Sequence, residues 1–140
     1  MEDHDVRWLV DRARILELTA RYNRCFDDGE AEPFADLFTE DGVMAVDGGP
    51  TTSGRAALAA MCRRTPYGTV HATVDATVEV DGDRATQVVT LLVLQRPASD
   101  APPDQRRSRL TRTARYTDEL VRTEAGWRFA RRSVVLDGGL

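Results

Sequence analysis

Apolar residues in the first part of the chain recur with the period of a helix. Between residues 5 and 28, Trp8, Ile15, Leu18, Tyr22 and Cys25 follow one another at spacings of three, four and seven, with Phe26 beside them. That spacing predicts one long amphipathic helix, closed by Gly29. AEPFADLFTEDG predicts a short second helix, with Pro33 in its first turn, Phe34, Leu37 and Phe38 on one face, and Asp41-Gly42 turning the chain out. VMAV is a brief strand, and DGGPTTSG is a loop. A third helix over about residues 55–64 places Leu58 and Met61 inward and stops at Thr65-Pro66.

The period then changes to two. HATVDATVEV puts Ala72, Val74, Ala76, Val78 and Val80 on one strand face, and Asp81-Gly82-Asp83 turns the chain into a second strand over residues 84–96. Residues 88–94 are continuously apolar, which predicts burial on both faces. RPASDAPPDQRRSR has no large apolar residue and predicts a long connection. LTRTARYTDELVRT and GWRFARRSVVL follow as strands, joined by Glu124-Ala125-Gly126, and no internal repeat is present.

Three helices followed by antiparallel strands predict an α+β domain, residues 1–140, with the helices gathered on one face of a curved sheet. Such a sheet cups into a cone with a mouth, and apolar walls carrying a few polar groups suit a small-molecule pocket. Trp8, Trp127 and Phe129 are expected in the core. Arg115, Arg122, Arg128, Arg131 and Arg132 are expected as a solvated or dimer-facing ladder.

Composition narrows the function. With 41% hydrophobic and 30% charged residues the chain reads as globular. Its net charge of -4 argues against nucleic acid as the main partner. All 19 basic residues are arginine, which excludes lysine Schiff-base chemistry. Cys25 and Cys62 lie outside any C-x-x-C spacing and are expected as reduced core residues. Only two histidines are present, so no metal site is expected. MEDHDVRW has no apolar run, no segment approaches the roughly 20 apolar residues of a membrane span, and a cytoplasmic location is expected.

RYNRCFDDGE holds the oddest pattern in the chain. It places Asp27 and Asp28 in the last turn of the first helix, where the dipole disfavours a negative charge by roughly 0.3–1 kcal/mol. The order of elements, together with RYNRCFDDGE, DLFTEDG, the Gly-Arg of SGRAAL, HATVDATVEVDGD and YTDELVRTEAGWRFARR, resembles the nuclear-transport-factor-2-like superfamily. Within it the chain is most similar to the SnoaL-like branch, which includes polyketide cyclases, scytalone dehydratase and bile acid dehydratase, with ketosteroid isomerase more distant.

The resemblance implies roles. Tyr22 matches the tyrosine that donates to the substrate oxygen in the isomerase, Asp27 the aspartate that pairs with the dehydratases' catalytic histidine, and His71 that histidine. The isomerase's carboxylate base falls near Val46, and the late His or Asp of the dehydratases' central strand falls on Leu94-Gln95-Arg96. Asp75, Gln95 and Met44 are further pocket candidates. Together Tyr22, Asp27 and His71 imply proton removal next to a carbonyl, followed by elimination of water, a double-bond shift or aldol closure, with dehydration ahead. The implied substrate is small, apolar and polycyclic, steroid-like or polyketide-like, and no cofactor is implied. A homodimer through the outer sheet face is expected from the family. A binding module without chemistry of its own is the alternative.

Two geometric conditions attach to this set. On simple alternation His71 shares a face with Thr73, Asp75, Thr77 and Glu79, so either that polar face lines the pocket or a bulge near Thr73 changes the phase. On an ideal helix Tyr22 and Asp27 point about 140° apart, so one pocket needs a bent helix end or a substrate spanning between them. Arg106, Arg107 and Arg109 could clamp an anion, although an exposed basic loop is the simpler reading.

Overall fold

The computed structural model describes residues 2–140. Helix α1 spans Asp3–Asp28, α2 Ala31–Ala35 and α3 Arg55–Arg63. The strands are β1 Phe38–Val46, β2 Thr51–Ser53, β3 Thr69–Asp81, β4 Arg84–Gln95, β5 Arg109–Thr123 and β6 Gly126–Leu136. They form one six-stranded sheet in the order β2-β1-β6-β5-β4-β3. Only the β1–β6 pairing is parallel; the others are antiparallel. The expected α+β layering therefore holds, with the helices packed on the curved sheet.

Helix α1 begins beyond the sheet. Residues 2–10 are all exposed, and Trp8, expected in the core, is 37% exposed. From Asp11 onward the helix turns Ile15, Leu18, Tyr22 and Cys25 inward. It ends at Gly29, whose φ of 70° lets the Glu30 N–H reach the Cys25 carbonyl at 2.9 Å and close the helix with two reverse bonds. The second helix is shorter than its pattern suggests. Leu37 and Phe38 are buried, but Phe38 already opens β1, paired with Phe129 of β6, whose N–H donates to the Leu37 carbonyl at 2.9 Å; Arg55 at the start of α3 donates to the Phe38 carbonyl from Nε at 3.2 Å and Nη2 at 2.8 Å.

The sheet departs from simple alternation at three single-residue bulges and at a wider shift in β1, where Phe38↔Phe129 is followed by Val43↔Arg131. In β3 the pairing passes from Val74↔Thr90 to Thr77↔Val88, so Asp75 and Ala76 together oppose Val89, and Asp75 takes a φ of 56°. In β5, Thr111 is the extra residue between Val93↔Arg112 and Leu94↔Leu110. In β6, Ala130 is the extra residue between Glu119↔Arg131 and Leu120↔Phe129.

Residues paired across strands share a face. His71 pairs with Val93, Thr73 with Leu91, Val78 with Gln87 and Val80 with Ala85. On β4, Ala85, Gln87, Val89 and Leu91 are the buried set, so His71, Thr73, Val78 and Val80 all face the helices. Ala72 and Val74 face the other way, contrary to the single apolar face expected for HATVDATVEV. Strand β4 is likewise buried on one face only, since Val88 is 38% exposed.

Candidate functional site

Asp27 lies in the last turn of α1, which contains no basic residue. Its compensation comes from β3. The main-chain N–H of His71 donates to Asp27 Oδ2 at 2.8 Å, and His71 Nδ1 lies 2.5 Å from Oδ1. The two side chains are 12% and 9% exposed. A carboxylate can only accept, so the pairing places a proton on Nδ1, and in the neutral ring Nε2 is then the acceptor. Phe26 fixes the ring from the side, edge-on at 5.0 Å between centroids.

This pair is one rung of a polar seam between α1 and the sheet. Thr19, Asn23 and Asp27 are four residues apart and share a helix face. Asn23 Nδ2 donates to Thr73 Oγ1 at 3.0 Å, and Gln87 Nε2 donates to Thr19 Oγ1 at 2.9 Å. Gln87 also donates to Asp118 Oδ2 at 2.8 Å, and Asp118 receives Arg132 Nε and Nη2, each at 2.7 Å. Gln87, Asp118 and Arg132 are fully buried. Burial alone would lower the Arg132 pKa, but the Asp118 carboxylate beside it raises it above its ordinary value. Its guanidinium is stacked over Tyr116 at 3.9 Å and over Tyr22 and Phe129 at 4.3 Å. Asn23 Oδ1, Gln87 Oε1 and Arg132 Nη1 are buried without a protein partner.

A second acid is buried at the opposite end of α1. Arg122 grips Asp11 through two bonds of 2.7 and 2.9 Å, and Trp127 Nε1 donates to the same carboxylate at 3.0 Å. The Arg122 hydrogen bonds hold the Asp11 carboxyl below the usual carboxylate range, against the opposing pull of burial.

Arg132 and Arg122 thus correct the expected surface ladder. Both are anchors between sheet and helix, while Arg115 and Arg131 are exposed as expected. The bulge at Ala130 hid Arg132, since alternation from Trp127 and Phe129 would turn Arg131 inward instead. Asp118 and Gln87 carried a readable signal: each is a polar residue on the buried phase of its strand, between Tyr116 and Leu120 and between Ala85 and Val89.

The six candidate residues fall into three places. Asp27, His71 and Asp75 line one groove of about 820 Å³ between α1 and β3, with Asn23, Thr73 and Arg96. Tyr22 and Met44 sit in the core, where the tyrosine hydroxyl donates to the Met44 thioether at 3.3 Å. Tyr22 is 1% exposed, burial raises its pKa, and it packs among Phe26, Phe34, Phe38, Tyr116 and Phe129. Phe26 stands between it and His71, touching both rings. Gln95 lies at the sheet end, 3.4 Å from the Tyr67 and Arg96 carbonyls, on the Thr69 rung, two pairs from that of His71 and on the same face. Among the described residues, no three His, Cys, Asp or Glu side chains converge as a metal-ligand set. No helix among them is long and apolar enough to cross a membrane.

The sequence profile of the SnoaL-like domain matches residues 7–133. The chain belongs to the SnoaL-like domain family. Solved structures place this SnoaL-like chain among proteins of the nuclear-transport-factor-2-like, cystatin-like fold. One from Novosphingobium aromaticivorans is 36% identical, covers 95% of this chain and 86% of its own, and superposes with a TM-score of 0.83. A Mycobacterium tuberculosis protein of unknown function is 31% identical, with 98% and 77% coverage and the same TM-score of 0.83. A proposed scytalone dehydratase from Novosphingobium aromaticivorans shares the fold at 22% identity, 91% and 85% coverage, and a TM-score of 0.76. No curated protein matches the sequence significantly.

Proposed function

We propose that this SnoaL-like domain, residues 1–140, is a cofactor-independent acid/base enzyme acting on a small, largely apolar polycyclic substrate of steroid or polyketide type. The observation that carries this reading is the shielded Asp27–His71 pair, in which one carboxylate holds both the backbone and the ring of the same histidine. His71 Nε2 removes a proton from the carbon next to a carbonyl, and Asp27 stabilises the imidazolium that results. The electron pair left on carbon moves into an enolate, whose oxygen Tyr22 receives. A thioether is a weak acceptor, so a carbonyl oxygen readily displaces Met44 from the tyrosine hydroxyl. The enolate then re-forms the carbonyl, its electron pair makes the new C=C bond and expels the β-hydroxyl, and that hydroxyl takes the imidazolium proton and leaves as water. The scheme favours a dehydratase, with double-bond shift and cyclisation sharing its first step.

The substrate has to pass Phe26 to touch both His71 and Tyr22. Asp75 borders its path in the groove, Met44 in the core and Gln95 at the sheet end. Exposed Val74, Val88, Leu110 and Val135 on the outer sheet face support a homodimer there. The closed aromatic packing around Tyr22 is the observation that favours the alternative, a ligand-binding module without turnover.

Imidazole nitrogen NMR tests the carrying observation, with exposed His4 as an internal reference. His71 is expected in the Nδ1–H tautomer, and Asp27→Asn should release it toward the His4 pattern. A turnover screen with hydroxylated ketosteroids and polyketide intermediates should lose activity at least about 100-fold in His71→Ala. A His71 spectrum indifferent to Asp27→Asn would refute the pair.

A further inference from the structure

The sheet end where Thr69, Gln95 and Arg109 lie side by side carries a concentration of positive charge that the acid/base scheme does not use. The Thr111 bulge is its structural cause. Without an extra residue, Arg109 and Arg112 would face opposite sides of β5, because three positions separate them. With Thr111 inserted, Arg109 pairs with Gln95 and Arg112 with Val93, which themselves pair with Thr69 and His71. Arg112 therefore lies on the His71 rung and on the same sheet face, two strand spacings away, or about 10 Å.

Two more arginines join Arg109 around a cavity at the same sheet end. The cavity, of about 760 Å³, is lined by Arg96, Arg107, Arg109, Gln95, Tyr67 and Asp104. Arg96 borders this cavity and the His71 groove alike. Among the described residues, none of Arg96, Arg107, Arg109 and Arg112 enters an ion pair, whereas Arg63, Arg122 and Arg132 do. These four guanidinium groups are exposed, and in a chain of net charge -4 they make a local positive field that attracts anions.

We propose that Arg109 and Arg112, assisted by Arg96 and Arg107, hold an oxyanion tail of the ligand, a carboxylate or phosphate, at this end of the sheet. The guanidinium fork matches both groups through paired N–H donors. The ligand is then amphipathic: an anionic end rests on the arginines and an uncharged polycyclic end reaches toward His71. Specificity for an acidic conjugate over its neutral counterpart resides in β5, away from the reacting atoms. The placing of the polycyclic end rests on the proposed function, but the anion site is read by binding alone.

Fluorescence and NMR titrations with 2-naphthoate and 2-naphthyl phosphate, against neutral 2-naphthamide and 2-naphthol, test this at low ionic strength. At least one anion should bind about tenfold or more tightly than its neutral partner, and the preference should shrink as salt is added. Which of the two anions shows the larger preference identifies the tail. Arg109→Gln and Arg112→Gln should each reduce the preference, and together they should abolish it. Arg106→Gln, whose Nε is tied to the Ala101 carbonyl, removes the same charge from the neighbouring loop and should leave the preference intact. Equal affinity for charged and neutral probes, or a preference that survives in the double variant, would overturn the proposal. A chain that binds naphthoate normally but turns nothing over retains the anion site and loses only the acid/base reading.

Discussion

Replacing Asp118 by asparagine isolates the energetics of the fully buried charge. The substitution keeps the shape of the side chain and removes the only counter-charge of Arg132, which has two bonds of 2.7 Å to it and no exposure to solvent. Removing one partner of such a pair costs about 3–5 kcal/mol, since the remaining ion cannot be hydrated. Unfolding entropy near 2.1 cal/mol/K per residue gives roughly 0.3 kcal/mol/K for a chain of this length, so the melting temperature should fall by about 10–17 °C. The paired substitution Asp118→Leu with Arg132→Met removes both charges together. It forfeits the stacking on Tyr22, Tyr116 and Phe129, worth about 2 kcal/mol when desolvated, yet it also relieves the desolvation of two ions. The double variant should therefore be more stable than Asp118→Asn. Circular dichroism melts and urea titrations of Asp118→Leu, Arg132→Met and their combination measure the cycle, with Asp118→Asn beside them. A fall below about 3 °C for Asp118→Asn, or strictly additive losses, would show that Arg132 is hydrated and the reasoning wrong.

Three further outcomes follow from the geometry. Asp11 has a lowered pKa in the fold, so its contribution is present above the unfolded value of 3.8 and is lost as pH falls through the lower folded value; urea midpoints across that acid range should decline in the wild type and flatten in Asp11→Asn. Burial pushes the Cys62 thiol up to about 11, so at pH 8 only about one molecule in a thousand carries the thiolate, and Ellman's reagent should react slowly until denaturant is added. Asp75 holds a left-handed φ of 56°, so Asp75→Val should cost about 1–2 kcal/mol in chemical denaturation while Asp75→Gly should cost little or stabilise.

Helical periodicity read well because α1 from Asp11 to Cys25 follows one uninterrupted 3.6-residue period. The strands were legible as segments but not as faces. His71 and Val78 are seven positions apart, an odd number, and still share a face because the chain spends one extra residue at Asp75 and Ala76. Alternation hid Arg132 behind Ala130 and Arg112 behind Thr111 for the same reason. A bulge leaves no hydrophobic signature, since its cause is pairing with a strand elsewhere in the chain. Trp8 failed differently: it continues the apolar stripe of α1, but the sheet ends before the helix does. The Asp27–His71 pair was reachable through family resemblance, whereas the separation of Tyr22 from His71 by Phe26 required coordinates.

The seat of Asp27 also bears on the edge of the sheet. Strand β3 is the last strand of the sheet, and its outward row of N–H and C=O groups is the kind of border to which a foreign strand can attach. Asp27 occupies the His71 N–H, one of the places where such a strand would begin to zip on. Any variant that frees this amide, whatever it does to proton transfer, opens a short stretch of border to intermolecular pairing. Solubility at high concentration should then report on the same carboxylate as turnover does.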